Sequence, residues 1–333
     1  MPKPAQEDAS RAHSKNLRLL ALYLSMVILI IAGALVALNF QSIADTFSSF
    51  GYTPSEGIKQ IGSSLDLTGD GNRIFLASRP ALNTADEFNK SCDAREENTS
   101  VLGCFVGREI HIYNIDSKQL SGIKESTAAH ELLHAVWSRL SQDEKNTLTK
   151  ELEAVYTDAK HNARLEEDLK TYGAAERVDE LHSRVGTEIK DLPSSLEEHY
   201  AKYFKDQDKI VGFYNSYIAP FNELKQQITT LSSELTTLKE QIDSKTSEYE
   251  SRANALNDTI SEFNNCASTL NCFSDRATFN ARHAGLVAEQ EAVNSLYQEV
   301  DNMIKEYNAK VNSYNDNVLK TRDLEKLISS KKE

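Results

Sequence analysis

The chain has 333 residues, 40% of them hydrophobic, and carries 37 Lys and Arg against 50 Asp and Glu for a net charge of −13. At about 150 residues per domain that length suits two units, and the acidic balance excludes a nucleic-acid binder working through a broad basic face, because phosphate contacts need clustered Lys and Arg. All six Pro lie at or before Pro220 and only Gly285 follows Gly212, so the last third reads as uninterrupted helix, with the turns and any chemistry ahead of it.

Leu19 to Leu38 is a run without a charged residue, long enough at 1.5 Å rise per residue to span roughly 30 Å of hydrocarbon. Lys3, Arg11, Lys15 and Arg18 precede it with only Glu7 and Asp8, and the next basic residue is Lys59. The charge bias predicts a single-pass membrane anchor with a cytoplasmic N-terminus and everything beyond it extracytoplasmic. The boundaries are a tail over 1–18, an anchor over 19–38 and a linker over 39–53. A cleaved signal peptide, with Ser42 and Ala44 at the cleavage site, is the rival reading.

Further along, Pro54 to Leu67 reads as a helix ended by the turn Thr68-Gly69-Asp70-Gly71. Two strands are predicted, Arg73 to Ser78 and Phe105 to Ile115; in the second, Ile110 and Ile112 alternate with Glu109, His111 and Tyr113, the period of a half-buried strand. His111 there reads as a packing or solvent-facing residue. Asp66, Thr68, Asp70 and Gly71 fall in the register of an EF-hand calcium loop, but Ala77 stands where the closing Glu belongs, so a plain turn is the better reading. Helical patterns follow from Ser126 to Asp206, with Ser141 and Glu144 forming a capping box. The four cysteines pair most simply as Cys92 with Cys104 and Cys266 with Cys272, each bridge local and suited to an oxidising exterior.

The chemistry lies in His130-Glu131-Leu132-Leu133-His134. Histidines four apart on a helix share one face and can bind one zinc ion at about 2.0–2.1 Å. Glu131 points about 100° around the helix, beside such a metal, where a general base belongs. Ala129, Leu133, Val136 and Leu140 form an apolar stripe that can bury the helix while the histidines face a cleft. The plain alternative is two solvated histidines on a structural helix. A catalytic zinc also needs a third protein ligand and an open position. Glu176, Asp179 and Glu180 are all available on a helical segment downstream. If Glu180 points toward the metal, His182, two residues on, points away from it, to the surface or a supporting role.

His130-Glu131-x-x-His134 followed some forty residues on by a helical Glu resembles the gluzincin zinc metallopeptidases. The resemblance spans roughly Arg73 to Phe204 and is specific only at the histidine motif. It implies an α+β, zincin-like domain in which Glu180 is the third zinc ligand and Ser183 the small residue one turn on. Tyr172 matches the oxyanion-stabilising Tyr of lethal-factor-like members, one residue further from the Glu than their pattern has it. The strand Phe105 to Ile115 takes the place of the edge strand that receives the substrate.

Aromatics at Tyr200, Tyr203, Phe204, Phe213, Tyr214 and Tyr217 read as core behind the site. From Phe221 apolar residues such as Leu224, Ile228, Leu231, Leu235 and Leu238 fall on a 3.5-residue repeat, which resumes after the second cysteine pair. An antiparallel coiled-coil hairpin over 221–333, following a catalytic domain over 54–220, is the economical arrangement. The resulting expectation is a membrane-anchored zinc peptidase. Its partners are a peptide or protein substrate, the membrane through one helix, and a protein or a second copy at the helical arm; no nucleic acid is expected. The alternative is a non-catalytic envelope adaptor with a degenerate zincin domain.

Overall fold

The computed structural model describes residues 24–31, 33, 40–92, 101–158, 165–166, 169–170, 172–269 and 272–331. Its elements in chain order are α1 (Phe40–Ser49), α2 (Glu56–Leu65), α3 (Gly69–Ala77), β1 (Ala81–Asn83), α4 (Ala85–Ser91), β2 (Gly103–Val106) and β3 (Glu109–Tyr113). A 3₁₀ turn at Lys118–Leu120 leads to α5 (Ile123–Trp137), α6 (Gln142–Thr157), α7 (Ala174–Glu188), α8 (Ser194–Tyr200), α9 (Gln207–Ala267) and α10 (Arg276–Ile328). The chain divides into two compact units, Met1–Tyr217 with Ile328–Glu333, and Ile218–Leu327.

Two expectations fall here. The described residues are predominantly helical with one three-stranded sheet, so the balanced α+β class is corrected to a mainly α architecture. Among the described residues no helix is long and apolar enough to cross a membrane. The single-pass anchor, and the cytoplasmic and extracytoplasmic placements built on it, are therefore withdrawn. Of the stretch Leu19 to Leu38, residues 19–23, 32 and 34–38 lie outside the described residues, as does the tail over 1–18. The expected linker is instead helix α1, tied to the end of α5 by a buried ion pair in which Arg139 Nε and Nη2 reach Asp45 Oδ1 at 3.0 and 2.9 Å. Asp45 is only 1% exposed, and stripping one partner from such a pair typically costs about 3–5 kcal/mol.

Arg73 to Ser78 is helical. Thr68 caps α3 by accepting from Gly71 N, and Ile74, Phe75 and Ala77 bury at helical spacing; a short apolar run does not distinguish strand from helix by period alone. Phe105 to Ile115 is two strands. Gly107 and Arg108 both take positive φ, 59° and 71°, the two-residue turn whose twist suits a tight hairpin. β2 pairs antiparallel with β3 while β1 pairs parallel with it, in the order β1-β3-β2. The bridge Cys92–Cys104 ties β2 to the end of α4.

The core of the first unit gathers Ile58, Leu65, Phe75, Ile110, Ile112, Leu132, Leu133, Tyr200 and Phe204 around α5. α5 packs against α7, β2, β3, α2 and α3, which makes it the central element. His182, expected at the surface or in a supporting role, is not at the surface: it is fully buried, its Nε2 2.8 Å from His199 Nε2 and its ring against Trp137. In the second unit the long helices run antiparallel: Glu234, Lys245 and Arg252 pair with Lys310, Glu299 and Glu289. Leu238, Leu256, Val293, Leu296 and Val300 are buried there, and Cys266–Cys272 closes the connection.

Burial, helped by Lys202 and opposed by Glu144, lowers the His199 imidazole to about 4. An ordinary histidine in the unfolded chain titrates near 6.5, so between those values the unfolded state binds the extra proton. Stability from this group is complete above about pH 6.5 and is lost as the pH falls toward 4, about 3 kcal/mol in all. Urea unfolding between pH 7 and 4.5 should show this slope, and His199→Gln should remove about one proton from it.

Candidate metal centre

From Ser126 to Trp137 every residue of α5 is buried except His130 and His134. The helix is thus a core element with one polar opening, its imidazoles 20% and 18% exposed. Ala128, Ala129, Leu132, Leu133, Ala135 and Val136 supply the apolar surface that fixes it. The imidazoles stand edge to face with centroids 4.8 Å apart.

α7 completes the site. His130 Nε2, His134 Nε2 and Glu180 Oε2 converge, with separations of 3.1 Å between the nitrogens and 3.5 and 3.4 Å from each nitrogen to the carboxylate oxygen. Ligands bonded tetrahedrally at about 2.0–2.1 Å have mutual separations of about 3.3–3.4 Å. The three donors therefore already outline one face of a coordination tetrahedron for a small divalent ion, and a calcium ion, with oxygen ligands at about 2.3–2.6 Å, is a poor match. Among the described residues this is the group of His, Cys, Asp and Glu side chains close enough to hold a metal ion. All four cysteines are in disulfides, and disulfides form and persist where conditions are oxidising.

The surrounding groups aim these donors. Asp179 Oδ1 lies 2.8 Å from His134 Nδ1, so the carboxylate accepts the Nδ1 proton and fixes the ring with Nε2 facing inward, where a bound metal would replace the Nε2 proton. Asp179, one of three sequence candidates for the third ligand, is the support and Glu180 the donor; Glu176 is exposed. Arg184 Nε donates to Glu180 Oε1 at 2.7 Å and Arg184 Nη1 to Glu188 Oε1 at 3.1 Å, leaving Glu180 Oε2 for the centre. Sequence reasoning missed Arg184, although a Glu and an Arg four apart on a helix are a legible pair. It also missed the role of Asp179, which no local pattern marks.

The electrostatics favour positive charge at the convergence point. Burial disfavours a charged His134, yet hydrogen bonds to Asp179 and Glu180 hold it well above the usual imidazole range. Burial likewise opposes the Glu180 carboxylate, but the charge of His130 and hydrogen bonds from both imidazoles keep it well below its usual range. Glu131 behaves oppositely: burial pushes its carboxyl up, Glu180 and Asp179 add to the rise, and the two imidazoles oppose it. Its Oε2 is buried and finds no hydrogen-bond partner among the described residues. Tyr172 stands at the rim, 38% exposed. Burial and the Glu180 carboxylate push its phenol up to about 12, against a hydrogen bond with Arg184. His111 lies apart on β3, its Nδ1 3.2 Å from Asn83 Oδ1.

Compared with known proteins, the chain matches no family model, no curated protein and no solved structure.

Titration calorimetry with zinc should find one site per chain. Glu180→Ala should abolish it, and Asp179→Asn should weaken it about 10- to 100-fold without removing it. Loss of the site in Asp179→Asn with retention in Glu180→Ala would exchange the two roles.

Proposed function

We propose that the chain is a zinc-dependent hydrolase of peptide bonds, with His130, His134 and Glu180 as the metal ligands and Glu131 as the general base. The observation that carries this reading is the triad at tetrahedral spacing with a buried, unpaired carboxyl oxygen beside it. Two imidazoles and a carboxylate are the ligand set of many catalytic zinc sites, where a fourth position stays open. The same set also serves iron oxygenases; the carboxyl of Glu131, raised by burial, favours hydrolysis, since proton transfer needs a base that can hold its proton until the leaving group takes it. The resemblance to the gluzincins rests on the sequence motif, His130-Glu131-x-x-His134 with a later helical Glu.

When bound, zinc supplies a Lewis acid that brings the pKa of water toward about 7 and polarises a carbonyl. Glu131 removes a proton from the attacking water and returns it to the departing amine. Tyr172, protonated at neutral pH because its phenol is raised to about 12, donates a hydrogen bond to the oxyanion as charge develops. Asp179 keeps the His134 ring oriented and Arg184 holds Glu180. β2 lies at the sheet edge and packs on α5, so an extended peptide or protein segment can add to it through main-chain hydrogen bonds.

The test is Glu131→Gln assayed against a diverse peptide library by mass spectrometry. The variant should keep one zinc per chain and lose hydrolysis by about 10²- to 10⁴-fold. Undiminished cleavage would remove Glu131 from the mechanism. A wild-type chain that binds zinc and cleaves nothing would leave the non-catalytic adaptor.

A further inference from the structure

We propose that Gly103 is a positioning residue for Glu131: the bare Cα of the edge strand forms the wall that sets where the carboxylate sits. This rests on the hydrolase reading above. β2 crosses α5 where Thr127 and Glu131 lie one helical turn apart on the same face. A Cβ added at Gly103 would lie 2.6 Å from Thr127 Cγ2, 2.7 Å from Glu131 Cγ and 2.8 Å from Glu131 Oε1, far inside the separation of about 3.5–4.0 Å at which carbon contacts are favourable. Gly103 is not among the residues with positive φ. Its lack of a side chain answers a need for space.

What gives way when that space is filled decides the consequence. Thr127 Oγ1 donates to Ile123 O at 2.8 Å, so its methyl cannot rotate aside without breaking a buried hydrogen bond. α5 cannot withdraw, because Ala128 and Leu132 on it are fully buried in the core. β2 cannot lift freely either: Gly103 is in register with Ile112 in the ladder to β3, and its neighbour Cys104 is bridged to Cys92. The Glu131 side chain is left as the movable part, held by no hydrogen bond at Oε2 among the described residues. The three atoms nearest the added Cβ belong to Thr127 and Glu131, none to the metal ligands. An Ala at this position thus displaces the base and leaves the metal triad in place.

The experiment compares wild type, Gly103→Ala and Gly103→Ala/Thr127→Ser, all as full chains loaded with zinc. Gly103→Ala should keep one zinc per chain and an unchanged KM, with kcat lowered about 10²-fold, the effect of misplacing a reacting group by about 1 Å. Removing the Thr127 methyl should restore part of it, about tenfold. In crystal structures the Glu131 carboxylate should move while His130, His134 and Glu180 stay. Unchanged kcat, a loss accounted for by missing zinc or raised KM, or an unmoved carboxylate would each overturn the proposal. If wild type itself cleaves nothing, the hydrolase reading fails, and the position of Glu131 in the two crystal structures decides the role of Gly103 by itself. Should Gly103→Ala not fold, the same measurements on the double variant decide it, with a wild-type kcat and an unmoved carboxylate overturning the proposal.

Discussion

The packing of α7 on α5 is the constraint on which the site depends, because it forces a buried carboxylate against two imidazoles. Glu180 Oε2 lies within 3.5 Å of both Nε2 atoms on a helix whose other residues from Ser126 to Trp137 are sealed in the core. Burying such groups costs free energy unless they are paired or bind a metal. Removing apolar residues such as Leu132 and Leu133 from that interface would unseat the donors as well as open a cavity.

The groups around the triad share the cost of holding it. Asp179 accepts the outer proton of His134 and Arg184 donates to the outer oxygen of Glu180, so these two donors each have one occupied and one inward-facing atom. Losing such an outer partner commonly costs a metal site about 10- to 100-fold in affinity. Glu131 is the exception: its buried Oε2 has no hydrogen-bond partner among the described residues, and its position is set by steric contact with the edge strand. An oxygen left out of any hydrogen bond can exchange a proton without breaking a network, which suits a base.

Local rules account for what was legible in the sequence. The four-residue histidine spacing, the Ser141–Glu144 capping box and both disulfide pairings are short-range or chemically restricted patterns, and the structure contains each of them; the choice of Glu180 among three nearby carboxylates came from the resemblance. The misread elements depend on context beyond a local window. Arg73 to Ser78 is apolar enough for a strand, and only Thr68 as a cap and the core contacts of Ile74 and Phe75 make it helical. The hairpin turn at Gly107-Arg108 hides because Arg108, a residue with a Cβ, takes a positive φ. The α+β class that the resemblance implied gives way to a mainly helical fold with one three-stranded sheet, and hydropathy over Leu19 to Leu38 implied an anchor that no helix among the described residues provides. Gly103 carries no sequence signal, since its meaning lies in a contact with a helix some twenty residues on.

X-ray absorption at the zinc edge on the purified full chain would report the ligands directly. One zinc per chain should appear with two imidazoles and oxygen donors at about 2.0–2.1 Å, and the imidazole scattering should vanish in a His130→Ala/His134→Ala chain. A chain that takes up no zinc, or whose zinc spectrum is unchanged by that double substitution, would contradict the metal centre and the hydrolysis derived from it.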